Sequence, residues 1–327
     1  MELHLNIKIS TPEADEFIRE FTNSDDYIIV NTSGSTGTPK TIHLPKSDMI
    51  RSAKASCEYF GINKKSRLVC PLSANYIAGK MMIIRAAVSG AELIMETPSN
   101  TPVARYYGKI DFIPVVPSQL VHLLENKAKA KHIGKVLVGG GPVPQNLVEA
   151  IKNAPFHTFA SYGMTETSSH VAIKDFRNIN DHYLALPGIS FDVDDEFCLK
   201  IHAPGYSFDG IQTNDIVWLY DHNDFHWVGR RDNVIITGGV KVHIEEIERK
   251  ISPIMNDEYF VIGVKDDFWG EKVVLYTKHA VDAEALKSLL TKFEMPKEIR
   301  IVKTIPHTPT GKILRSEIKR YKKDSNI

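Results

Sequence analysis

The sequence has few cysteines, no excess of charge of either sign and no long apolar run. Three cysteines in 327 residues, Cys57, Cys70 and Cys198, are too few and too scattered for a disulfide framework or a Cys-x-x-Cys metal site. Forty basic and forty acidic side chains give a formal net charge of zero, which disfavours a nucleic-acid partner. No apolar run approaches the roughly 18 residues of a membrane-spanning helix, and the amino terminus lacks the pattern of a signal peptide. We therefore expect a soluble cytoplasmic protein with no membrane span.

The pattern of apolar residues predicts an α/β fold in a chain long enough for about two domains. From Tyr27 to about Ser161, short apolar runs alternate with helical patterns, which indicates a large domain of mixed sheets covered by helices. After Pro187, short strands predict a small antiparallel or barrel-like piece of the same domain. From about Asn233 the pattern predicts a small α+β domain.

Some element ends can be predicted from capping and turn residues. One helix is expected to begin after an N-cap at Ser47 and to close at Gly61, and a later helix is expected over 283–293. Two strands lead into glycine-bearing turns, Gly139-Gly-Gly-Pro142 and Ser161-Tyr-Gly-Met-Thr-Glu166. In open α/β sheets such turns lie at the carboxyl ends of strands, where ligands bind.

A loop rich in glycine and hydroxyl groups directly follows the apolar run Tyr27–Val30. Glycine lets backbone N–H groups approach an anion, hydroxyls add donors, and a lysine adds positive charge, so the loop predicts a nucleotide-phosphate site between a strand and a helix. Its spacing departs from G-x-x-x-x-G-K-[ST], which disfavours a P-loop NTPase, and its place beside an apolar strand disfavours a flexible linker. The residues concerned are Thr32, Ser33, Gly34, Ser35, Thr36, Gly37 and Lys40.

The loop resembles the phosphate-binding signature of the adenylate-forming enzymes, the superfamily of acyl-CoA and aryl-CoA synthetases. Further segments resemble motifs of that superfamily in the same order, which makes the resemblance specific over about Asp26 to Arg315. It implies ATP, Mg²⁺ and CoA as cofactors and a small carboxylic acid as substrate. A carboxylate would attack the α-phosphorus of MgATP to give an acyl-adenylate and pyrophosphate, and a thiol would then displace AMP.

The resemblance also implies roles for individual residues. Gly139, Gly140 and Gly141 would pack against adenine, Tyr162 would stack near it with Gly163 in the same stretch, Thr165 would contact the α-phosphate, and Glu166 would hold Mg²⁺. A carboxylate oxygen is the ligand that such a hard cation prefers. Taken alone, either segment could be a tight loop or a polar turn.

Three later segments complete the implied site. Asp215 would accept hydrogen bonds from the ribose hydroxyls, Arg230 would reach the ribose or phosphate, Gly238 and Gly239 would let pantetheine pass, and Lys312 would bridge the acid and the α-phosphate. Asp232 would be the hinge between a large AMP/ATP- and acyl-binding domain, 1–231, and a small mobile domain, 232–327. Rotation of the small domain would serve the two steps in turn.

The amino-terminal part before the phosphate loop is short compared with the superfamily, which usually carries well over a hundred residues there. We expect a naturally compact enzyme with a reduced first subdomain, and a chain cut short at its amino terminus is the alternative. An apolar patch exposed on the surface that a longer amino-terminal part would cover would indicate a homodimer contact.

The choice of acid depends on the segment Tyr76–Arg85, which resembles the acyl-pocket helix of the o-succinylbenzoyl-CoA synthetases of menaquinone biosynthesis. Tyr76, Gly79, Arg85 and Ser169 would line the pocket. A dicarboxylate with one reactive end needs a fixed cation for the other, and arginine suits that grip. On spacing alone, Arg85 is better explained as a helix-surface arginine, and His170 is better explained as a local hydrogen-bonding residue than as a catalyst.

Two alternatives stay open at the level of the sequence. One is another acyl-, aryl- or amino-acid-activating ligase, which would need no buried cation. The other is a nonenzymatic adenylate-binding relic, which the presence of Lys40, Glu166, Asp215 and Lys312 disfavours.

Overall fold

A computed structural model describes residues 5–32, 40–105, 108–144, 147–178, 180–255, 257–307 and 313–315. Within them the helices are α1 (Pro12–Thr22), α2 (Lys46–Phe60), α3 (Ile77–Ser89), α4 (Pro117–Glu125), α5 (Lys127–Ala130), α6 (Val148–Lys152), α7 (Ile244–Ile251) and α8 (Ala283–Leu289). The strands are β1 (Asn6–Ile9), β2 (Tyr27–Thr32), β3 (Lys40–Pro45), β4 (Arg67–Cys70), β5 (Glu92–Met95), β6 (Ile110–Val115), β7 (Ile133–Val138), β8 (His157–Met164), β9 (Ser169–Asp175), β10 (Tyr183–Ala185), β11 (Ser190–Val193), β12 (Cys198–His202), β13 (Ile211–Asp221), β14 (Asp224–Arg230), β15 (Val234–Thr237), β16 (Val240–His243), β17 (Tyr259–Asp266), β18 (Gly270–Thr277) and β19 (Glu298–Ile301).

One sheet of twelve strands forms the larger part of the fold, in the order β1-β5-β4-β6-β7-β8-β9-β10-β14-β13-β12-β11. The strands from β1 to β8 in this order pair in parallel, and every pairing from β8–β9 to β12–β11 is antiparallel. The prediction of a mixed sheet covered by helices is confirmed. The antiparallel strands after Pro187 continue the path of this same sheet.

Helices α2 and α3 pack against each other and against the sheet. Helix α3 is buried on all sides through much of its length, which matches its apolar sequence. At the end of α2, the Phe60 ring lies 4.9 Å from that of Phe112 and 5.2 Å from that of Phe159, measured between centroids. Full burial of such a ring contributes roughly 1.5–3 kcal/mol, so these contacts fix α2 on the sheet.

The predicted end of α2 is confirmed and its predicted start is wrong. Gly61 closes the helix in the left-handed conformation, with φ at 67°. The helix begins at Lys46, with Pro45 as N-cap, because strand β3 runs directly into it. Ser47 therefore lies inside the first turn and does not cap it.

The carboxy-terminal residues form a second sheet of five strands, ordered β16-β15-β18-β17 with β19 paired to β18. Helix α7 buries Ile244, Ile247 and Ile251, at the spacing of one helical face. Helix α8 ends at Leu289, four residues before its predicted end. It ends there because Thr291 and Glu294 cap each other's backbone N–H groups and start a new turn.

No helix of the described residues is both long and apolar enough to cross a membrane.

Candidate active site

The predicted phosphate loop lies between the two strands of a separate hairpin. Strands β2 and β3 pair antiparallel from Tyr27 and Pro45 to Thr32 and Lys40, which face each other across the base of the loop. The predicted helix after the loop is α2, and strand β3, which begins at Lys40, lies between the loop and that helix. Ser33, Gly34, Ser35, Thr36 and Gly37 lie outside the described residues, and of Thr32 and Lys40 the backbone alone is described.

The segment Ser161–Met164, predicted to be a turn, is the last part of strand β8. It pairs with β9, with a shift of register between Tyr162 and Gly163 that sets Gly163 opposite His170. A Cβ atom on Gly163 would lie 2.2 Å from the carbonyl oxygen of Ser169. The prediction failed because antiparallel pairing with a later strand extends β8, and glycine at position 163 permits the close approach of the two backbones.

A short 3₁₀ turn, Thr165–Thr167, joins β8 to β9 and lies beside strand β3. The buried Thr167 hydroxyl accepts a hydrogen bond from the Met164 N–H at 3.0 Å and donates to the Ser169 carbonyl at 2.7 Å. This turn holds Thr165 and Glu166, both half-buried, next to the second strand of the phosphate-loop hairpin. The structure thus sets the Thr165–Thr167 turn beside the strand that begins at Lys40.

Glu166 fits a magnesium ion carried by a nucleotide better than a resident metal site. No group of three or more His, Cys, Asp or Glu side chains suited to a metal occurs in the described part of the chain. A divalent cation at Glu166 would therefore take its other oxygens from phosphates and water, which is how Mg²⁺ is usually held beside a nucleotide.

Tyr162, Asp215 and Arg230 form a connected polar group. The Tyr162 hydroxyl donates to Asp215 Oδ2 at 2.7 Å, and Arg230 Nη1 lies 3.4 Å from Asp215 Oδ1. Asp215 and Arg230 are direct partners across the β13–β14 ladder, so their side chains share one face. Arg230 Nη2 also donates to Asp232 Oδ2 at 2.8 Å, which joins four predicted nucleotide and hinge residues.

The protonation state of Tyr162 follows from its surroundings. Burial first, and the charge of Asp215 second, raise the pKa of Tyr162 well above its ordinary value. The phenol therefore stays a neutral donor that orients the carboxylate of Asp215. One ring edge packs against Phe225, with 5.0 Å between centroids.

The turn after β7 lies next to the end of β8. A Cβ atom on Gly139 would lie 2.8 Å from the Ser161 hydroxyl oxygen, and that hydroxyl donates to the Val138 carbonyl at 3.1 Å. Because β7 and β8 are parallel, Gly139, Gly140 and Gly141 follow the carboxyl end of one strand beside the neighbouring strand. This is the sheet edge at which α/β proteins bind ligands.

Arg85 is a buried cation, 2% exposed, so its interpretation as a helix-surface arginine is wrong. Its Nε donates to Ser56 Oγ at 2.8 Å, and its Nη2 donates to Ser169 Oγ at 2.9 Å. No ion pair joins Arg85 to a carboxylate of the described residues, and the one contact of Nη1 described there is the Met82 sulfur at 3.7 Å. Burial lowers the pKa of Arg85 to about 10, which leaves it charged at neutral pH. An unpaired buried charge is costly, so it indicates a ligand of opposite charge.

Ser56 and His170 complete the surroundings of Arg85, and the sequence analysis did not place them in the site. His170 Nε2 lies 3.1 Å from Ser56 Oγ, and its Nδ1 lies 3.4 Å from Arg85 Nη2. The local hydrogen-bonding role expected of His170 is confirmed. A signal for Ser56 exists, because Asp48, Ser52 and Ser56 recur every four residues on the buried face of α2.

Tyr76 and Gly79 lie at the other end of α3. Tyr76 is the N-cap residue and is 44% exposed. It precedes Arg85 by nine residues, about 13 Å along a helix. Gly79 packs against the Ser73 backbone, where a Cβ atom would lie 2.2 Å from the carbonyl oxygen. The structure therefore does not bring Tyr76 to the Arg85 group, while it does bring Ser169 there.

The remaining predicted residues belong to the junction and to the second sheet. Asp232 lies in the 3₁₀ turn Arg231–Asn233 between β14 and β15. Gly238 and Gly239 form the turn between β15 and β16, with φ values of 57° and 80°, as two-residue hairpin turns require. Lys312 lies outside the described residues. Beyond it, Arg315 Nη2 contacts both carboxylate oxygens of Glu248 at 2.7 Å.

A cavity of about 440 Å³ opens elsewhere, at the amino ends of β4, β6, β7 and β8. Its polar lining includes Lys65, Lys135 and His157 and none of the predicted site residues. The predicted site follows the opposite ends of these strands, so the cavity is separate from it.

The fold and the site together define a mixed α/β protein whose carboxyl-end turns carry the polar groups expected of an adenylate-forming enzyme. The chain belongs to the AMP-binding enzyme family, whose profile matches residues 5–197. A Listeria monocytogenes protein named 2-succinylbenzoate--CoA ligase is 31% identical over 322 residues, which cover 89% of this chain and 69% of that protein. A protein of the same name from Lactococcus lactis is 24% identical over 92% of this chain and 72% of its own length.

Solved structures agree with this family. An acyl-CoA synthetase (AMP-forming)/AMP-acid ligase II-like protein from Dyadobacter fermentans is 32% identical, with a TM-score of 0.62 over 94% of this chain and 93% of that chain. The o-succinylbenzoate coenzyme A synthetase of Bacillus subtilis, solved with ATP and magnesium ion, shares the fold at 23% identity. Its TM-score is 0.78 over 89% of this chain and 69% of that chain.

Proposed function

We propose that this protein is an acid–thiol ligase that activates 2-succinylbenzoate with ATP and transfers it to CoA, as a step of menaquinone biosynthesis. In the first step a substrate carboxylate oxygen bonds to the α-phosphorus of ATP and pyrophosphate leaves. In the second step the CoA thiol, losing its proton, bonds to the acyl carbon and AMP leaves. The names of the relatives support this acid, and the family supports the chemistry.

The observation that carries the choice of a dicarboxylate is Arg85. Its guanidinium is buried without a carboxylate partner in the described part of the chain, and Nη1 has no oxygen ligand there. Its partner Ser169 belongs to the β8–β9 hairpin, which also carries Tyr162, Thr165 and Glu166. A cation fixed to the same hairpin as the nucleotide residues can hold one carboxylate while the other reacts.

The nucleotide would be bound by residues of three segments. The Asp215 carboxylate, oriented by Tyr162 and Arg230, would accept the ribose hydroxyls, and the turn at Gly139 would take the adenine. The phosphate loop from Thr32 to Lys40 and the Thr165 hydroxyl would face the phosphates. Mg²⁺ held by Glu166 would neutralise phosphate charge.

Residues beyond Arg230 would serve the two steps in turn. The proposed division into domains 1–231 and 232–327, with Asp232 as hinge, is supported by the passage of the chain from one sheet to the other across Arg231–Asn233. Lys312 would bridge the acid and the α-phosphate in the first step. The turn at Gly238 and Gly239 would lie along pantetheine in the second step.

Two secondary expectations belong to the same proposal. The free and buried thiols of Cys57, Cys70 and Cys198 support a reducing compartment, which we take to be the cytoplasm. A homodimer through the surface near the amino terminus stays a proposal, and sedimentation velocity of the purified protein tests it.

The function is tested by mass spectrometry of the protein incubated with MgATP, CoA and single acids. The panel is 2-succinylbenzoate, benzoate, a medium-chain fatty acid and several amino acids. We expect a 2-succinylbenzoyl thioester with equimolar AMP, and its loss in Arg85→Ala. A thioester with another acid would support the proposed enzyme class and contradict the proposed substrate. The absence of any adenylate or thioester would contradict the proposed function.

A further inference from the structure

We propose that His170 and Ser56 are positioning residues that hold the Arg85 guanidinium toward the acid substrate. This inference rests on the proposed function, because it assigns Arg85 to one carboxylate of that substrate. Neither residue is expected to touch the substrate, since both are buried and they contact Arg85 Nε and Nη2 and each other.

The hydrogen bonds of this group form a closed ring. Arg85 Nε donates to Ser56 Oγ, Ser56 Oγ lies 3.1 Å from His170 Nε2, and His170 Nδ1 lies 3.4 Å from Arg85 Nη2. The ring joins α2, α3 and β9 through side chains that are at most 6% exposed. The Ser169 hydroxyl oxygen also accepts a hydrogen bond from Arg85 Nη2 at 2.9 Å.

The direction of each hydrogen bond follows from the chemistry of arginine. A guanidinium has donors and no acceptor, so a hydrogen bond from Arg85 Nη2 requires His170 Nδ1 to be unprotonated, and Nδ1 can then also accept from the Ser169 hydroxyl at 3.3 Å. The ring proton therefore sits on Nε2 and is donated to Ser56 Oγ, which accepts from both His170 and Arg85. A doubly protonated imidazole could not accept from Arg85 and would add a second buried cation. Burial and the charge of Arg85 lower the pKa of His170 well below its ordinary value, in agreement with a neutral ring.

The ring leaves one part of the guanidinium for a ligand. Nε and Nη2 are engaged by Ser56, Ser169 and His170, whereas Nη1 meets the Met82 sulfur at 3.7 Å. An arginine side chain has many rotamers and loses conformational entropy when it is fixed. If His170 and Ser56 fix the Arg85 side chain before the substrate arrives, the free energy of carboxylate binding is not spent on fixing it.

The test compares two acids in matched variants. The first acid is 2-succinylbenzoate. The second is an analogue that lacks one of its two carboxylates, either 4-oxo-4-phenylbutanoate or 2-butanoylbenzoate. The analogue used is the one that the wild type adenylates. In His170→Leu we expect KM for the diacid to rise roughly ten- to a hundredfold, with kcat nearly unchanged. The KM for the single-carboxylate acid should stay within about twofold, because that acid makes no contact with Arg85.

Further variants separate positioning from folding. His170→Gln offers one acceptor and one donor and should restore most of the diacid KM, whereas Ser56→Ala should raise it in the same way as His170→Leu. Equal losses for both acids, or no loss for the diacid in either His170→Leu or Ser56→Ala, would overturn the inference. Arg85→Ala is measured alongside. If Arg85→Ala leaves KM for the diacid unchanged, the proposed recognition of the substrate by Arg85 fails. If Arg85→Ala raises this KM while His170→Leu and Ser56→Ala do not, the positioning role of His170 and Ser56 fails.

Discussion

The hydroxyl of Tyr162 donates to Asp215 Oδ2 at 2.7 Å, across two strands that are far apart in sequence. Arg230 approaches the other oxygen of the same carboxylate from the neighbouring strand, at 3.4 Å. Asp215 is thus held on both sides, with lone pairs left for a ribose diol. The arrangement makes Tyr162 a residue that orients an acceptor, in addition to its expected place beside adenine.

Removal of the Tyr162 hydroxyl should weaken nucleotide binding. In Tyr162→Phe we expect KM for ATP to rise about tenfold, because a hydrogen bond to a charged group is lost. The measurement is pyrophosphate exchange at varied ATP. Tyr183→Phe is the matched control, since the Tyr183 ring stacks on Phe225 in the same aromatic group, and its KM should stay within about twofold. An equal effect of both changes would contradict the role of the Tyr162–Asp215 contact.

The close crossing of β8 and β9 makes Gly163 sensitive to any side chain. In Gly163→Ala the new methyl group would meet the Ser169 carbonyl oxygen at 2.2 Å, and that oxygen belongs to the backbone of the paired strand. We expect the free energy of unfolding to fall by about 1–3 kcal/mol, measured in urea. Gly141→Ala is the control, because its nearest neighbour lies at 3.9 Å and it should lose far less. Equal stability of the two variants would refute the steric explanation.

Acidification should destabilise the protein through His170. Its pKa is lowered in the folded state, so between that value and its unfolded pKa of about 6.5 the unfolded chain binds a proton that the folded chain does not. Stability is therefore fully present above about pH 6.5 and falls as the pH drops toward the folded pKa, by up to about 1.4 kcal/mol per pH unit.

The contribution of His170 can be separated from that of other groups. His226 also has a lowered pKa and adds to the same slope in every variant. Urea unfolding at pH 7, 6 and 5 should show a smaller loss of stability in His170→Gln than in the wild type. Parallel curves for the two proteins would show that His170 titrates normally in the fold.

The Glu248–Arg315 pair should stabilise the segment that follows Lys312. Arg315 Nη2 meets both Glu248 oxygens, and the same carboxylate accepts the Val261 N–H at 2.7 Å. In Arg315→Ala we expect a loss of about 2 kcal/mol in the free energy of unfolding, because a largely buried carboxylate loses its cation.

The control for that change is an arginine on the solvent side of α7. Arg249 pairs with Glu246 at 3.0 Å and its side chain is 47% exposed. Arg249→Ala should cost less than about 0.5 kcal/mol, as expected of an exposed pair within a helix. Similar losses in Arg249→Ala and Arg315→Ala would show that burial does not set the strength of the Glu248 pair.

The elements of the fold could largely be predicted from local patterns. The alternation of apolar runs predicted the mixed sheet, and Gly61 marked the end of α2. The errors have long-range causes: β3 runs into α2 and displaces the cap from Ser47, and pairing with β9 turns the segment after Ser161 into strand. The residues of one segment do not show which distant strand that segment will pair with.

The site was predictable where its residues belong to a recognisable sequence motif, and less so where burial decides the role of a residue. Tyr162, Asp215 and Arg230 were named from the sequence and meet in the structure. For Arg85 the spacing favoured a helix-surface arginine, and its burial in the fold overturns that interpretation. Ser56 and His170 are 114 residues apart, so no spacing in the sequence could have joined them.

The central claim is that Arg85 recognises the second carboxylate of the acid. The most direct measurement is the ratio of kcat/KM for 2-succinylbenzoate to that for its accepted single-carboxylate analogue, in the wild type, in Arg85→Ala and in the exposed control Arg51→Ala. We predict that the wild type and Arg51→Ala share a large ratio and that in Arg85→Ala it falls by roughly a hundredfold or more, because the loss falls on the diacid alone. An Arg85→Ala ratio equal to that of the wild type would contradict the account.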